Sequence, residues 1–324
     1  MTPEIIQNCM KSCDLCRRHC RVDRTAGQRG FCAQSDVLRA ARAALHEWEE
    51  PCISGKTGSG AVFFSGCSMG CVFCQNREIA LGKQGKEIST ERLSEIFLML
   101  QDQGAVNINL VTPTHFVPQI VYALEQAKKK GMNLPVVYNT GNYETLETLR
   151  MLDGLVDVYL PDLKYCAPEV SYRYAKTRDY FEAACENLNE MVRQVGAPVF
   201  MDENGTVIEA SSDEEDAVEA SEEGLMKKGV LVRHLLLPGQ TEDSLKILRY
   251  LHDTFGEKIW ISLMNQYTPV GKPAYPELGR KLTEREYDIV IDHAISLGME
   301  NVFIQEGDVA EESFIPSFDF TGLL

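Results

Sequence analysis

The sequence lacks a long hydrophobic run, and this absence bears on where the protein works. No stretch of the 324 residues approaches the ~18 consecutive apolar residues that a membrane-spanning helix requires. The N-terminal stretch, MTPEIIQNCMKSCDLC, is polar and has no apolar region of the kind found in a signal peptide. We therefore expect a cytoplasmic protein with no membrane partner.

Positive charge is scarce as well. The chain has 32 Lys and Arg residues against 48 Asp and Glu residues, which gives a formal net charge of -16. A surface of this sign repels phosphate backbones, so a nucleic-acid partner is not expected, although RNA stays open as a substrate. Residues 11–42 depart from the average, with eight basic residues against three acidic ones. This segment predicts either a solvated basic face or a surface that docks a partner.

Several common catalytic motifs are missing too. The sequence contains no Ser-His-Asp set, no paired-carboxylate motif and no Walker loop, since residues 56–60, KTGSG, lack the GxxxxGK order. Cysteine is the residue type that is abundant. The chain has 11 cysteines, and in a reducing compartment so many thiols indicate metal sites rather than disulfides.

The stretch GCSMGCVFCQN, residues 66–76, places Cys67, Cys71 and Cys74 in the spacing C-x3-C-x2-C. A structural zinc site takes four ligands, and a cubane 4Fe-4S cluster takes one cysteine per iron. Three cysteines therefore leave one metal position open, which is typical of a catalytic site. The alternatives are a zinc knuckle whose fourth ligand lies elsewhere, or a redox pair with a bystander.

These residues, with the aromatic Phe73 before the last cysteine, resemble the radical S-adenosylmethionine (SAM) superfamily. Within it they resemble the pyruvate formate-lyase activating enzyme-like branch. The resemblance implies an oxidoreductase with a 4Fe-4S cluster on the three cysteines and SAM on the open iron. One electron, from a carrier such as flavodoxin or ferredoxin, would cleave SAM to a 5'-deoxyadenosyl radical that abstracts a substrate hydrogen. The implied partner is a glycyl radical enzyme or another peptide.

A second cysteine group lies near the N-terminus. Cys13, Cys16, Cys20 and Cys32 follow the spacing C-x2-C-x3-C-x11-C, and four thiolates can close a metal site. The spacing matches neither the usual zinc pairs nor the bacterial ferredoxin run closely. We therefore expect a second metal and leave open whether it is zinc or an auxiliary iron-sulfur cluster.

The rest of the chain alternates short apolar runs with segments of helical periodicity, which predicts a parallel α/β sheet. The resemblance implies a partial (β/α)6 TIM-like barrel with a cysteine-rich N-terminal extension. Residues 40–50 are interpreted as a short helix, 51–60 as a loop, and 198–209 as a hairpin around an Asn-Gly turn. The predicted parts are an extension and linker (1–59), a barrel (60–310) with an acidic insertion (210–223), and a tail (311–324).

Polar residues follow successive predicted strands, where the functional groups of parallel βα barrels gather. By resemblance, a set near the cofactor would bind SAM: Phe73, Thr112, Thr114, Asn139, Thr140, Asp162, Lys164 and Arg233. A second set is expected at the substrate pocket: His115, His234, Asn265, Gln266 and Tyr267.

Two features depart from the activating enzymes. Residues 112–115 read TPTH where those enzymes usually have a Gly-Gly-Glu turn for the methionine amino group, and Gln266 stands near where they often have a histidine. His115 has three open roles, which are to cap the next helix, to line the substrate pocket or to bind the cofactor.

Three functions follow. The first is a radical SAM enzyme that activates a glycyl radical enzyme or abstracts a hydrogen from another peptide. The second is radical SAM chemistry on a small metabolite, a lipid or RNA. The third, from a different class, is a noncatalytic iron-sulfur or zinc protein that transfers electrons or acts as a scaffold.

Overall fold

A computed structural model of the chain describes residues 1–202, 205–208, 224–305 and 316–324. Its centre is one open sheet, and the short runs in the middle of that sheet are buried along their whole length. The strands are β1 (Arg39–His46), β2 (Ser59–Phe64), β3 (Lys86–Glu87), β4 (Ile108–Val111), β5 (Val136–Thr140), β6 (Val158–Pro161), β7 (Val199–Met201), β8 (Val207–Ile208), β9 (Leu225–Leu235), β10 (Trp260–Met264) and β11 (Val302–Ile304).

The helices of the described residues lie mostly in the connections between parallel strands. They are α1 (Pro3–Lys11), α2 (Pro51–Ser54), α3 (Arg77–Ala80), α4 (Thr90–Asp102), α5 (Val117–Lys129), α6 (Leu146–Arg150), α7 (Pro168–Ala175), α8 (Tyr180–Val195), α9 (Thr241–Phe255) and α10 (Glu284–Ser296). Short 3-10 turns occur at Arg24–Ala26, Thr114–Phe116, Gly256–Lys258 and Pro276–Gly279.

The strand order fixes the architecture. Strands β2, β4, β5, β6, β9, β10 and β11 are neighbours in that order, and every pairing among them is parallel. The order never reverses, and each crossover between these strands carries a helix. Since such crossovers are right-handed as a rule, the helices cover one face, as in a TIM barrel and unlike a doubly wound sheet. The sheet does not close on itself among the described residues. The predicted α/β class and partial barrel are confirmed.

The two faces of the strands carry different cores. Tyr138 of β5 packs toward the helices, whereas Val137 beside it packs into the barrel interior. Side chains from α2 fill that interior, since Cys52 and Ile53 lie against Val137, Val158 and Leu231 with almost no exposure. Truncating Ile53 to alanine would cost about 2–5 kcal/mol.

The helix predicted over residues 40–50 is wrong, because residues 39–46 form β1. This strand pairs antiparallel with β2 and has a bulge near Arg42. Alanine and leucine favour helices, but Ala40, Ala41 and Ala43 are buried against the sheet and its neighbours, and this packing overrides propensity. The loop predicted over 51–60 is partly wrong, since α2 begins at Pro51 and β2 at Ser59.

The predicted hairpin, acidic insertion and C-terminal tail are described only in part. Strands β7 and β8 pair antiparallel, which confirms the hairpin, although Asn204 lies outside the described residues. The acidic insertion at 210–223 also lies outside them. The last residues run beside β1, where the Ala43 amide donates to the Thr321 carbonyl at 2.9 Å. The division into extension, barrel and tail stays a prediction. None of the helices described has both the length and the apolar character needed to cross a bilayer.

Candidate active site

One cavity opens at the carboxyl ends of the parallel strands, and most of the predicted site residues line it. Those that line it are Cys67, Cys71, Phe73, Cys74, Thr112, Asn139, Thr140, Asp162, Lys164, Arg233 and Gln266. The fold thus brings together residues that are up to 199 positions apart in the chain, counting from Cys67 to Gln266. The cavity wall also contains residues that were not predicted, among them His46, Trp48, Glu49, Phe63, Met69, Gly141, Leu235 and Met264.

The three cysteines sit in the loop that follows β2, and each thiol accepts one hydrogen bond. The Met69 amide donates to Cys67 Sγ at 3.3 Å. The Tyr165 hydroxyl donates to Cys71 Sγ at 3.4 Å. The Asn76 amide donates to the Cys74 thiol. The loop therefore presents three sulfurs with their donors already in place, as a thiolate ligand set requires.

The protonation of these thiols depends on a bound cation. Burial raises the pKa of Cys71, and burial together with Cys67 and Cys71 raises the pKa of Cys74 to about 12. At neutral pH such thiols keep their protons unless a positive charge binds beside them and displaces the protons.

The donor set fits an iron-sulfur cluster better than a single ion. No three His, Cys, Asp or Glu side chains within the described ranges are arranged to hold one metal ion. A cluster distributes its thiolates over separate irons, and soft sulfur ligands are the ones it prefers. Three thiols at one cavity wall therefore match three of its four irons.

Phe73 connects the cysteine loop to a group of buried aromatic residues. Its ring lies edge-on to Tyr165, Tyr174 and Tyr267, with ring centroids 6.4, 6.2 and 6.0 Å away. Such contacts are each worth about 0.5–1.5 kcal/mol beyond the area buried. Phe73 thus anchors the loop on one side and lines the cavity on the other.

Charged residues at the ends of β5, β6 and β9 form a buried network opposite the loop. Arg233 donates to Asn139 Oδ1 at 2.6 Å, to Asp162 Oδ1 at 3.2 Å and to Glu49 Oε2 at 3.3 Å. Asn139 donates to Glu49 Oε1 at 3.1 Å, and Lys164 donates to Asp162 Oδ2. Two carboxylates and two cations therefore balance each other with little solvent.

The network keeps its members charged. Burial alone would raise the pKa of Asp162, but Lys164 and Arg233 together outweigh burial and lower it. Burial alone would lower the pKa of Lys164, but Asp162 and the neighbouring Cys71 raise it. Removing these ions from water is expensive, so a balanced cluster of this kind in a cleft indicates a binding site.

Two acidic residues of this region were missed by the sequence analysis. Glu49 and Glu50 precede Pro51 in a stretch interpreted as a helix, and no motif marks them. Glu50 lies deeper, where Ser262 Oγ donates to its Oε2 at 3.0 Å. Burial raises the pKa of Glu50 to about 7, and the nearby Glu49 adds to the rise.

The threonines of the predicted cofactor set have different surroundings. Thr112 lines the cavity with a φ of +57°, a left-handed conformation that is rare for a β-branched residue. Such strain costs about 1–3 kcal/mol and is common at functional sites. Thr114 is buried, and its hydroxyl donates to Glu144 Oε1 at 2.7 Å. Thr140 donates to the same carboxylate oxygen, although it also touches the cavity.

Four of the five residues expected at a substrate pocket do not line the cavity. His115 is buried, with Nε2 2.7 Å from the Ser65 carbonyl, and burial lowers its pKa to about 3. His234 is also buried, between the Leu163 carbonyl and Ser244 Oγ, and burial lowers its pKa. Both histidines therefore stay neutral and structural.

Tyr267 and Asn265 are placed similarly. The Tyr267 hydroxyl donates to the Leu278 carbonyl at 2.8 Å and its ring is buried. The Asn265 side-chain amide donates to the Gln305 carbonyl at 3.4 Å, its backbone amide donates to Gln305 Oε1 at 3.1 Å, and the residue does not line the cavity. Among the five residues of this set, Gln266 alone touches the cavity.

The N-terminal cysteine segment packs directly against the loop that carries the cavity cysteines. Arg18 donates to the carbonyls of Ser68 and Met69 at 2.8 and 2.9 Å, and its guanidinium stacks on Phe31 at 3.7 Å. It also donates to the last carbonyls of α7. Gly66 permits the close approach, because a Cβ there would lie 2.5 Å from the Cys32 carbonyl oxygen.

The four N-terminal thiols also accept hydrogen bonds. Cys16 and Cys32 accept from the amides two residues later, at Arg18 and Gln34. Cys20 accepts from the Phe31 amide at 3.3 Å, and Cys13 from the buried Arg24 guanidinium at 3.7 Å. Burial raises the pKa of Cys16 and of Cys32, and other cysteines of the group add to the rise. No three of these side chains, all within the described residues, are arranged to hold one metal ion, so the second metal stays a prediction.

Comparison with known proteins finds a family-model match for the central segment of the chain. Residues 61–206 match the family model of the Radical SAM superfamily. Over 311 residues the chain is 28% identical to the uncharacterized protein MJ0674 of Methanocaldococcus jannaschii, and the alignment covers 93% of this chain and 79% of that protein.

Solved structures give more distant similarities. SuiB of Streptococcus suis, bound to its precursor peptide SuiA, is 11% identical with a TM-score of 0.46, and the match covers 74% of this chain and 46% of SuiB. A domain of pyruvate-formate lyase-activating enzyme from Bacteroides vulgatus is 13% identical with a TM-score of 0.37, over 59% of this chain and 91% of that domain. This chain thus spans less than half the length of SuiB, and likenesses at this level say nothing about the substrate. The match to the Radical SAM family model covers somewhat less than half of this chain, and the three cysteines at the cavity wall lie inside the matched segment.

Proposed function

We propose that the protein cleaves SAM reductively at a 4Fe-4S cluster held by Cys67, Cys71 and Cys74. The observation that carries this proposal is the position of three thiols at one wall of a cavity whose opposite wall is a buried charged network. When bound, the reduced cluster supplies an electron to the sulfonium of SAM, which yields a 5'-deoxyadenosyl radical for hydrogen abstraction.

The charged network suits the amino-acid part of SAM. Arg233 is held by three acceptors, so its fork is oriented before any ligand arrives, and a guanidinium has further N–H groups for a carboxylate. Asp162 stays ionised beside the cavity and accepts hydrogen bonds, which suits an ammonium group. We assign these two residues to the methionine half, with Lys164 keeping Asp162 in place.

Fewer residues are candidates to contact the ribose and the aromatic part of SAM. Asn139 and Thr140 line the cavity at the end of β5, and we assign them to the ribose. Phe73 offers an apolar surface next to the cysteines. Thr114 is left out of the assignment because, unlike Thr140, it does not line the cavity.

We propose a peptide as the hydrogen donor, with a glycyl radical enzyme as the partner that the GCSMGCVFCQN motif favours. The electron comes from an external one-electron carrier such as flavodoxin or ferredoxin. The test mixes reduced protein and SAM with a candidate glycyl radical enzyme and records the EPR doublet of a glycyl radical. Formation of 5'-deoxyadenosine without a doublet directs the search to small metabolites, lipids or RNA.

We further propose that Cys13, Cys16, Cys20 and Cys32 hold a second metal. Support comes from the spacing of the four cysteines and from the N–H hydrogen bond that each of their thiols accepts, the arrangement that stabilises thiolates. Metal analysis of anaerobically purified protein should give either one zinc or more than four irons per chain. A count of four irons and no zinc contradicts this proposal.

The central test is the reaction itself. Anaerobically reconstituted protein, reduced with dithionite and given SAM, should form 5'-deoxyadenosine and methionine. A noncatalytic iron-sulfur or zinc protein would hold metal without forming either product. The matched control is Cys185→Ala, which removes a partly buried cysteine that lines neither the cavity nor the N-terminal group.

A further inference from the structure

The hydroxyl group of Tyr165 has an unusual partner. The side chain is fully buried, and within the described parts of the chain its hydroxyl hydrogen-bonds only to Cys71 Sγ, at 3.4 Å. A buried hydroxyl without a partner is costly, so this contact accounts for the one polar group of the side chain.

The ring and the backbone of Tyr165 are both held in place by neighbouring residues. Its ring packs against those of Tyr180, Tyr174 and Phe73, with centroids 5.3, 6.2 and 6.4 Å away. The backbone is fixed on both sides, since Tyr180 Oη accepts from the Lys164 amide at 3.1 Å and Asp243 accepts from the Cys166 amide at 2.8 Å. Tyr165 is therefore oriented by the fold before any cluster binds.

The other two cavity cysteines differ from Cys71 in their donors. Cys67 and Cys74 accept from backbone amides, of Met69 and Asn76. Tyr165 provides the one side-chain donor to this set of thiols among the described residues. Hydrogen bonds to the sulfurs are one of the means by which a protein sets the potential of an iron-sulfur cluster.

We propose that Tyr165 is a positioning residue that raises the reduction potential of the catalytic cluster by donating a hydrogen bond to the Cys71 thiolate. This inference rests on the proposed function, because it requires the cluster at Cys67, Cys71 and Cys74. The reduced cluster carries one more negative charge than the oxidised cluster, so a donor at its sulfur stabilises the reduced form more. The hydroxyl makes the cluster easier to reduce by a weak physiological carrier.

The direction of this hydrogen bond follows from the chemistry of the two groups. A phenol O–H is a donor and a thiolate sulfur has no proton to give, so the Tyr165 hydroxyl donates and Cys71 Sγ accepts.

The test is EPR-monitored redox titration of Tyr165→Phe, which removes the hydroxyl and keeps the ring. The midpoint potential should become more negative, by up to a tenfold change in the reduction equilibrium, or 59 mV for one electron. The matched control is Tyr174→Phe, because Tyr174 belongs to the same aromatic group but its hydroxyl donates to Glu277 at 2.6 Å. The control should keep the wild-type potential.

Two results overturn the inference without touching the proposed function. One is a wild-type cluster that forms and cleaves SAM but has the same potential in Tyr165→Phe. The other is an equal shift in both variants, which assigns the effect to ring packing. A wild-type protein that forms no cluster at all refutes the proposed function instead.

A second measurement reads the hydrogen bond directly. Pulsed EPR of the reduced wild-type cluster in deuterated buffer should show an exchangeable deuteron coupled to it that disappears in Tyr165→Phe. The same spectrum in both variants overturns the inference. This readout does not depend on turnover, and it holds even if the substitution lowers the amount of cluster bound.

Discussion

The two cysteine groups of this protein use the same local geometry in different surroundings. Cys16 and Cys32 near the N-terminus, and Cys67 and Cys74 in the loop after β2, all accept a hydrogen bond from the amide two residues later. The group of three lines a cavity with a charged opposite wall. The group of four lines no part of that cavity and packs behind the loop through Arg18 and Gly66. A similar way of holding sulfur therefore occurs in two regions, of which one faces a cavity and the other does not.

This difference explains why the count of cysteines matters more than their spacing. Four thiols can complete a metal site by themselves, whereas three need a ligand from the cavity. Arg18, which lies within the group of four, donates to carbonyls of the loop that carries the group of three. The N-terminal segment is thus placed to stabilise the shape of that loop.

The largest effect is expected from removing one cysteine of each group in turn. Cys71→Ala leaves two thiols for the catalytic cluster, so iron at this site and 5'-deoxyadenosine formation should both be lost while the circular dichroism spectrum is retained. Cys16→Ala should release only the second metal. Two results would contradict the proposal that the two groups hold separate metals: Cys71→Ala keeps its iron and its activity, or both substitutions remove the same metal.

The second-largest effect is expected from removing the contact between the two cysteine groups. Arg18→Gln removes most of the donors to the Ser68, Met69, Ala175 and Lys176 carbonyls, and should lower the free energy of unfolding by about 3–4 kcal/mol. Hydrogen exchange at residues 66–71 should rise in the same variant. Both quantities are measured on metal-free protein by denaturant titration and mass spectrometry.

Arg17→Gln is the matched control for that substitution. Arg17 pairs with the exposed Glu186 at the surface, so its loss should cost less than about 1 kcal/mol. Equal effects of the two variants would show that the N-terminal segment does not hold the loop through Arg18.

The buried carboxyl group of Glu50, on the cavity side of the molecule, should make the stability of the protein depend on pH. Burial raises the pKa of Glu50 from 4.5 to about 7. The folded state then binds more protons than the unfolded state between these values, so stability falls as pH rises from about 4.5 to 7. At 1.36 kcal/mol per pKa unit the loss is about 3–4 kcal/mol. Glu50→Gln should remove this part of the slope and be the more stable protein at pH 8, measured by denaturant titration across pH.

The smallest effect concerns the strained backbone at the cavity. Thr112→Gly removes the Cβ from a residue at a φ of +57° and should raise the unfolding free energy by about 1 kcal/mol. Thr112→Ala keeps a Cβ and should give no such gain. Equal stability of the two variants would mean that the conformation at residue 112 carries no strain.

The sequence predicted the parallel α/β sheet because its strands are short apolar runs between segments of helical periodicity, whereas the partial barrel was implied by the resemblance of the cysteine motif. The sequence prediction was wrong at β1. Ala40, Ala41 and Ala43 have a high helix propensity, but their small side chains also fit the crowded space at this part of the sheet, where they are buried. Propensity is local, whereas the decisive packing against β2 and the last residues of the chain is not.

For the site, spacing located the strand ends but not the direction of each side chain. His115 and Thr114 come after β4 as expected, yet the 3-10 turn at Thr114–Phe116 directs them into the core. Tyr165 and Arg18 were missed because their roles depend on contacts with residues 94 and 50 positions away. Such contacts leave no local pattern in a single sequence.

The most direct test of the central claim is EPR spectroscopy of the reduced protein before and after addition of SAM. An open iron at Cys67, Cys71 and Cys74 predicts a 4Fe-4S signal that changes when SAM binds, and no such change in Cys71→Ala. A wild-type signal that is identical with and without SAM would contradict the account.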